Sequence, residues 1–202
     1  GRSIRVGELI EILKKDRSTF RHSGGGVTLS GGDPLMQPDF AGELLKACKA
    51  QGWNTAIETE GCAETETYLR LVPYIDTILM DIKHMDPEKH RLFTGVSNEL
   101  ILNYARRVSA FVPLTIRVPV IPKFNESEEE IRAIAEFAAS LGKVRYDHLL
   151  PYQSLGENKY RMMGIEYKMN RLSAKSLSNK ELEKYRPIVE QAGVSCRIGD
   201  ES

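Results

Sequence analysis

The sequence predicts an α/β protein whose parallel sheet curls into a partial barrel. Three observations lead there. Apolar periods of helical and strand type alternate along the chain. The strand-like runs are nearly all apolar, as in strands covered on both faces. Polar residues gather directly after successive runs, where parallel α/β folds place their sites. The 202 residues, 41% of them hydrophobic, suffice for one sizeable core.

Taken in order, Val6, Leu9, Ile10 and Leu13 recur at helical spacing, and Asp16-Arg17-Ser18 is expected to end that helix. Gly24-Gly25-Gly26 breaks the chain before a short strand, Val27-Thr28-Leu29, which runs into Ser30-Gly31-Gly32-Asp33-Pro34. Phe40, Leu44, Leu45 and Cys48 mark a second helix, closed by Gly52. Asn54 to Thr59 reads as a strand ending at Gly61, Tyr68 to Ile75 as a helix, and Thr77 to Ile82 as a buried strand. Leu100 to Val112 is helical and Leu114 to Ile121 strand-like. The run from Asn125 to Glu130 starts a further helix with acidic residues at its positive end. Ile131, Ile134, Ala135, Ala138 and Leu141 line its buried face, and Gly142 closes it. Tyr146 to Leu150 is the fifth strand, residues 153–177 a long polar loop, and Asn179 to Gln191 the last helix. Five strands and about six helices, with a helix first, predict a (βα)6 TIM-like partial barrel lacking its first strand.

Composition excludes several classes of function. The 28 basic residues balance 28 acidic ones, which removes any general argument for nucleic acid or an anionic membrane as partner. No apolar run of about 18 residues is present to span a membrane. Gly1 to Arg5 lacks the apolar core of a signal peptide, so the expected compartment is the cytoplasm. Cys48, Cys62 and Cys196 are widely spaced, and no CxxC or Cx3CxxC joins them into a zinc or iron–sulfur motif.

The candidate chemistry sits at the strand ends. Gly31-Gly32 lets a ligand approach the backbone closely, although a tight βα turn would use the same residues. It is neither a Walker loop nor a G-x-G-x-x-G fingerprint. Asp81 and Lys83 flank Ile82 and lie on one side of their strand by alternation. A lysine there suits a ligand carboxylate and an aspartate suits a cation or hydroxyl; a structural ion pair is the simpler alternative. Glu58 and Thr59 end the neighbouring strand, and with Asp81 they offer an all-oxygen group for a hard cation. Arg117 interrupts an apolar strand, facing either a polar interior or the solvent along its stem. His22, His84, His90 and His148 lack the spacing of a metal pair, and Cys48 belongs to a helical apolar face.

The order of these features is more specific than any one of them. Ser23-Gly24-Gly25-Gly26-Val27-Thr28-Leu29-Ser30-Gly31-Gly32-Asp33-Pro34-Leu35 strongly resembles the glycyl-radical-enzyme activating enzymes of the radical S-adenosylmethionine superfamily, typified by pyruvate formate-lyase activating enzyme. Glu58-Thr59-Glu60-Gly61, Asp81-Ile82-Lys83-His84-Met85-Asp86 with His90 and Thr94-Gly95-Val96, and Leu149-Leu150-Pro151-Tyr152 with 155–160 are similar to the same family. The resemblance implies a partial (βα)6 barrel that cleaves S-adenosylmethionine at a 4Fe–4S cluster, fed by flavodoxin or ferredoxin. The product radical takes hydrogen from a backbone glycine of a partner glycyl radical enzyme. It further implies that Gly31, Gly32 and Asp33 meet the methionine amino group and that Lys83, in the Asp81-Ile82-Lys83 stretch, contacts its carboxylate. By the same resemblance Glu58, Thr59 and Asp81 match a monovalent-cation site, and Arg117 and Gln153 line the cofactor or peptide cleft.

Three positions depart from the family pattern. Asp33 stands where glutamate is commoner, Glu58 replaces an aspartate and Gln153 a histidine. The cluster-binding Cx3CxxC is absent, which predicts a domain truncated at its N-terminus, with any accessory clusters also upstream. Such a chain is expected to be inactive on its own. Two other readings compete. The chain is a non-catalytic binding or scaffold module, or Asp81, Lys83 and Asp86 form the D-x-K-x-x-D pattern of an orotidine-monophosphate decarboxylase-like barrel.

Overall fold

A computed structural model describes residues 3–153, 162, 164 and 174–200 of the chain. Six strands form one parallel sheet in chain order: β1 (Gly26–Leu29), β2 (Asn54–Thr59), β3 (Thr77–Asp81), β4 (Leu114–Val120), β5 (Val144–Pro151) and β6 (Cys196–Ile198). All five ladders are parallel, and the sheet is open, with β1 and β6 at its edges. The expected α/β partial barrel is therefore present, with one strand more than the five expected. Three-residue β6 is too short to show a period of its own.

Alternation assigns the two faces of the sheet. On β2 and β3 the buried residues Thr55, Ile57, Thr59, Ile78 and Met80 alternate with partly exposed ones. Ile57, Ile78 and Met80 join Leu45, Tyr104, Ala105, Ile131 and Ile134 in one apolar core on the helix side. The remaining positions, including Glu58, Asp81, Arg117 and His148, face the opposite, interior side. The polar residues are concentrated there, where among the described residues no helix layer covers the sheet.

The helices differ from expectation at their ends. α1 (Val6–Leu13) continues through a 3-10 turn, Lys14–Asp16, into α2 (Arg17–Ser23). Asp16-Arg17-Ser18 does not end it, because no glycine or proline interrupts the backbone before Gly24 at φ 65°. α3 (Pro38–Ala50) fits expectation, and α4 (Thr65–Leu71) starts earlier than predicted and passes into a 3-10 turn at Pro73. α5 (Pro87–Thr94) was not predicted, yet its local signals are complete. Asp86 accepts hydrogen bonds from the Glu88 and Lys89 N–H groups, Pro87 opens the first turn, and Gly95 closes the helix at φ 95°. This use of Asp86 also removes it from any D-x-K-x-x-D group, and the decarboxylase reading falls with it.

α6 (Glu99–Val108) and α7 (Glu128–Ala139) pack over the sheet's centre, and α8 (Asn179–Leu182) and α9 (Arg186–Gln191) lead into β6. The expected last helix is thus two pieces joined by a 3-10 turn. Ser127, rather than Asn125, caps α7 by accepting from the Glu130 N–H at 3.1 Å. Ser127→Ala is expected to cost about 1 kcal/mol, read as a fall in the urea midpoint at unchanged slope. Among the described residues no helix is long and apolar enough to cross a membrane. Most of the expected 153–177 loop lies outside the described residues.

Candidate functional site

The register of the ladders brings the sequence-predicted charges together. Asp81 stands beside Arg117, and Arg117 beside His148, which is paired in turn with Arg197 on β6. Arg117 Nη1 lies 2.5 Å from Glu58 Oε1, and its Nε is 3.5 Å from Asp81 Oδ1. Lys83 Nζ donates to Glu60 Oε1 at 2.6 Å and reaches Asp81 Oδ2 at 3.4 Å. Lys83, Arg117 and Asp81 are each no more than a fifth exposed. Glu60 was not anticipated as a partner. It sits two residues after Glu58, so alternation alone places both carboxylates on the interior face.

Burial and charge compete within this group. Burial pushes the Asp81 carboxyl up, against the pull of Lys83 and Arg117. Burial also works against the Lys83 charge, but Asp81 and Glu60 together outweigh it and hold the ammonium above the ordinary lysine range. Glu60 shows the reverse balance: burial opposes its charge, and Lys83 overcomes that and lowers its pKa. Among the described residues, the ion pairs of this group thus join three carboxylates to two cations, a formal excess of one negative charge. Asp81 Oδ1 is buried without a hydrogen bond, so the group is not closed on itself.

Thr59 stands apart from Glu58 and Asp81. As the next residue on β2 it points to the helix side, and its hydroxyl donates to Asp33 Oδ2 at 2.8 Å and Oδ1 at 2.9 Å. Asp33 also accepts from the Leu35 N–H at 2.9 Å and the Glu60 N–H at 3.0 Å. It therefore staples the exit of β1 to that of β2. Among the described residues no group of three or more His, Cys, Asp or Glu side chains converges as a metal site. Gln153 is exposed two residues beyond β5 and makes no hydrogen bond to the other site residues.

Among the described residues, nothing crowds the Cβ positions of the Gly31-Gly32 bend. Gly31 has φ 91°, and a Cβ on either glycine would meet nothing within 4 Å. Ser30, Gly32 and Asp33 form one end of a cleft of about 430 Å³ that also runs past Leu9, Leu13 and Phe40. Gly31→Ala is expected to destabilise by roughly 1–2 kcal/mol through its positive φ, whereas Gly32→Ala stays within about 0.5 kcal/mol. Both shifts are readable by thermal unfolding.

Comparison with known proteins names the architecture. The family model of the Radical SAM superfamily matches residues 1–138. The chain belongs to that superfamily. Within the radical SAM superfamily its curated relatives are activating enzymes. It is 37% identical over 203 residues to the (2S)-3-sulfopropanediol dehydratase activating enzyme of Klebsiella oxytoca, covering 98% of this chain and 64% of that protein. It is 39% identical over 193 residues to the choline trimethylamine-lyase activating enzyme of Oleidesulfovibrio alaskensis, covering 94% of this chain and 62% of that one. The chain therefore spans a little under two thirds of the length of these relatives. A domain of pyruvate-formate lyase-activating enzyme from Bacteroides vulgatus superposes with a TM-score of 0.72 at 34% identity, covering 87% of this chain and 99% of that one. The radical SAM chain is thus a member of the glycyl-radical-enzyme activating family.

That family implies S-adenosylmethionine and a 4Fe–4S cluster, and the two groups fit this chain differently. The uncrowded bend at Gly31-Gly32 and the formal excess of carboxylate charge suit S-adenosylmethionine, whose sulfonium and ammonium groups outnumber its carboxylate. The cysteines do not suit a cluster. Cys48 and Cys196 are buried in separate apolar clusters and only Cys62 is exposed.

Proposed function

We propose that this chain supplies the S-adenosylmethionine-binding sheet of an activating enzyme that generates a glycyl radical on a partner enzyme. The observation that supports it best is the gathering of Lys83, Asp81, Glu58, Glu60 and Arg117 on one face of the strand ends. In this reading the Lys83 ammonium binds the ligand's carboxylate, and the backbone at Gly31-Gly32 receives its amino group. Asp33 contributes by holding that bend against β2 rather than by its own reach. The Asp81-Ile82-Lys83 segment lies beside the bound methionine moiety, while Arg117 and Gln153 line the cleft that admits the partner's glycine segment.

When bound and given one electron through the cluster, S-adenosylmethionine would break its S–C5′ bond, release methionine and supply the deoxyadenosyl group that takes the glycine's hydrogen atom as 5′-deoxyadenosine. The chain's own residues bind and orient it and keep water from the methionine end. A monovalent cation at Glu58 and Asp81 is part of the proposal, supported by the excess negative charge; the Thr59 hydroxyl is committed to Asp33. A reduced flavodoxin or ferredoxin as donor and a cytoplasmic setting complete it. The scaffold reading predicts ligand binding without turnover. The test is anaerobic incubation of the intact enzyme with S-adenosylmethionine, a one-electron donor and a candidate glycyl radical enzyme. A glycine-centred electron paramagnetic resonance signal with matching release of 5′-deoxyadenosine is expected. Ligand binding with neither product would leave only the scaffold reading standing.

A further inference from the structure

Lys83 sits on a segment that has left the sheet, yet that segment's backbone is held by side chains from two other parts of the chain. The Lys83 carbonyl accepts from Asn125 Nδ2 at 2.8 Å, and the same nitrogen donates to the Pro119 carbonyl at 2.8 Å. Asn125 Oδ1 accepts from the Ile121 N–H at 2.6 Å, so one amide ties the exit of β3 to that of β4. Asn98 Nδ2 donates to the carbonyls of His84 at 2.8 Å and Met85 at 2.7 Å. The Met85 N–H donates to Glu130 Oε1 at 2.5 Å, and the Asp86 N–H to His84 Nδ1 at 3.0 Å. Asn98, Asn125 and His84 are each at most 2% exposed. His84 Nδ1 also lies 3.1 Å from Glu130 Oε1, so the same ring nitrogen faces both the Asp86 N–H and the Glu130 carboxylate.

Two of these side chains are diverted from the local work their positions favour. Asn98 occupies the N-cap of α6 and makes no capping hydrogen bond. Glu130 is the third residue of α7, where a capping box would turn its carboxylate back to the Ser127 N–H, but it reaches Met85 instead. α6 is thus left without a side-chain cap, and α7, capped by Ser127, lacks the reciprocal half of its capping box. Local rules broken together, around one short segment, mark a functional constraint rather than a packing accident.

We infer that Asn98, Asn125 and Glu130 are positioning residues that fix the Lys83–Met85 backbone and thereby set how firmly the Lys83 ammonium holds a ligand carboxylate. The inference rests on the functional reading above, which makes Lys83 the carboxylate contact. Three side chains converge on three consecutive residues, so loss of any one clamp lets the stem of Lys83 shift relative to Asp81 and Glu60.

The test compares two probes on the intact enzyme by equilibrium binding: S-adenosylmethionine and its decarboxylated analogue, which offers Lys83 nothing to bind. Asn98→Ser, Asn125→Ser and Glu130→Ala are each expected to weaken S-adenosylmethionine about tenfold, while the analogue changes less than about twofold. Glu130→Gln, which keeps an acceptor for the Met85 N–H, is expected to restore binding. Circular dichroism reads the fold of each variant, and the Glu130→Ala and Glu130→Gln pair decides the matter if an asparagine variant does not fold. Equal losses for both ligands, or no loss, would overturn the inference. Lys83→Met separates it from the reading it rests on. If that variant discriminates the two ligands and the clamp variants do not, only the positioning inference fails. If Lys83→Met does not discriminate them, the functional reading fails.

Discussion

Replacing Asp147 by valine is expected to raise the unfolding temperature at pH 8 by on the order of 10 °C. Asp147 lies on the helix-facing side of β5, between Ile116 of β4 and Cys196 of β6. It is 1% exposed, and neither carboxylate oxygen has a hydrogen-bond partner. Burial alone pushes its pKa up to about 8. The folded chain therefore keeps a proton there that the unfolded chain releases near pH 4. Stability falls as pH rises from about 4 to about 8 and is level beyond, with an upper bound of about 5 kcal/mol from this one group. Asp147→Val is expected to abolish that slope while changing little below pH 4, where the carboxyl is neutral in both states. Urea denaturation across pH 4–9 checks it. Parallel slopes in the two proteins would mean that the carboxyl finds a partner when it ionises.

The second large effect is at Lys83. Lys83→Met is expected to weaken S-adenosylmethionine binding by roughly 10- to 100-fold, the range for a buried charge-assisted hydrogen bond. The variant also strips Asp81 and Glu60 of their lysine contact. Asp81 keeps Arg117 nearby and Glu60 is half exposed, so the sheet is expected to persist. Circular dichroism separates loss of affinity from loss of fold. An affinity unchanged in a folded Lys83→Met protein would remove Lys83 from the site.

Much of this was legible in the sequence because it depends on local periods. A short strand-like run marked Asn54–Thr59 and a nearly all-apolar one Thr77–Asp81, and the period of two along a strand placed Asp81 and Lys83 on one side. The same alternation places Thr59 opposite Glu58, and joining the two in one cation group ran against it. What drew the Thr59 hydroxyl away was Asp33, 26 residues distant in the chain, and no local pattern reports such a contact. Asn125 opens the acidic run that leads into α7, and only the tertiary position of the Lys83–Met85 segment explains why its amide is spent on the Lys83 carbonyl. Asp147 falls within the fifth strand, Tyr146 to Leu150, that the sequence predicts. Its burial was implied by alternation with Leu149, but its lack of a partner follows from how α7 and α9 pack over β5 and β6.

Backbone amide mapping tests most directly whether one sheet face grips the methionine end of the ligand. On titrating S-adenosylmethionine into isotopically labelled protein, the amide signals of Gly31, Gly32 and residues 81–83 are expected to move together and saturate at one concentration. Shifts confined to the helix side, or Gly31-Gly32 and Lys83 responding with different affinities, would contradict a single shared site.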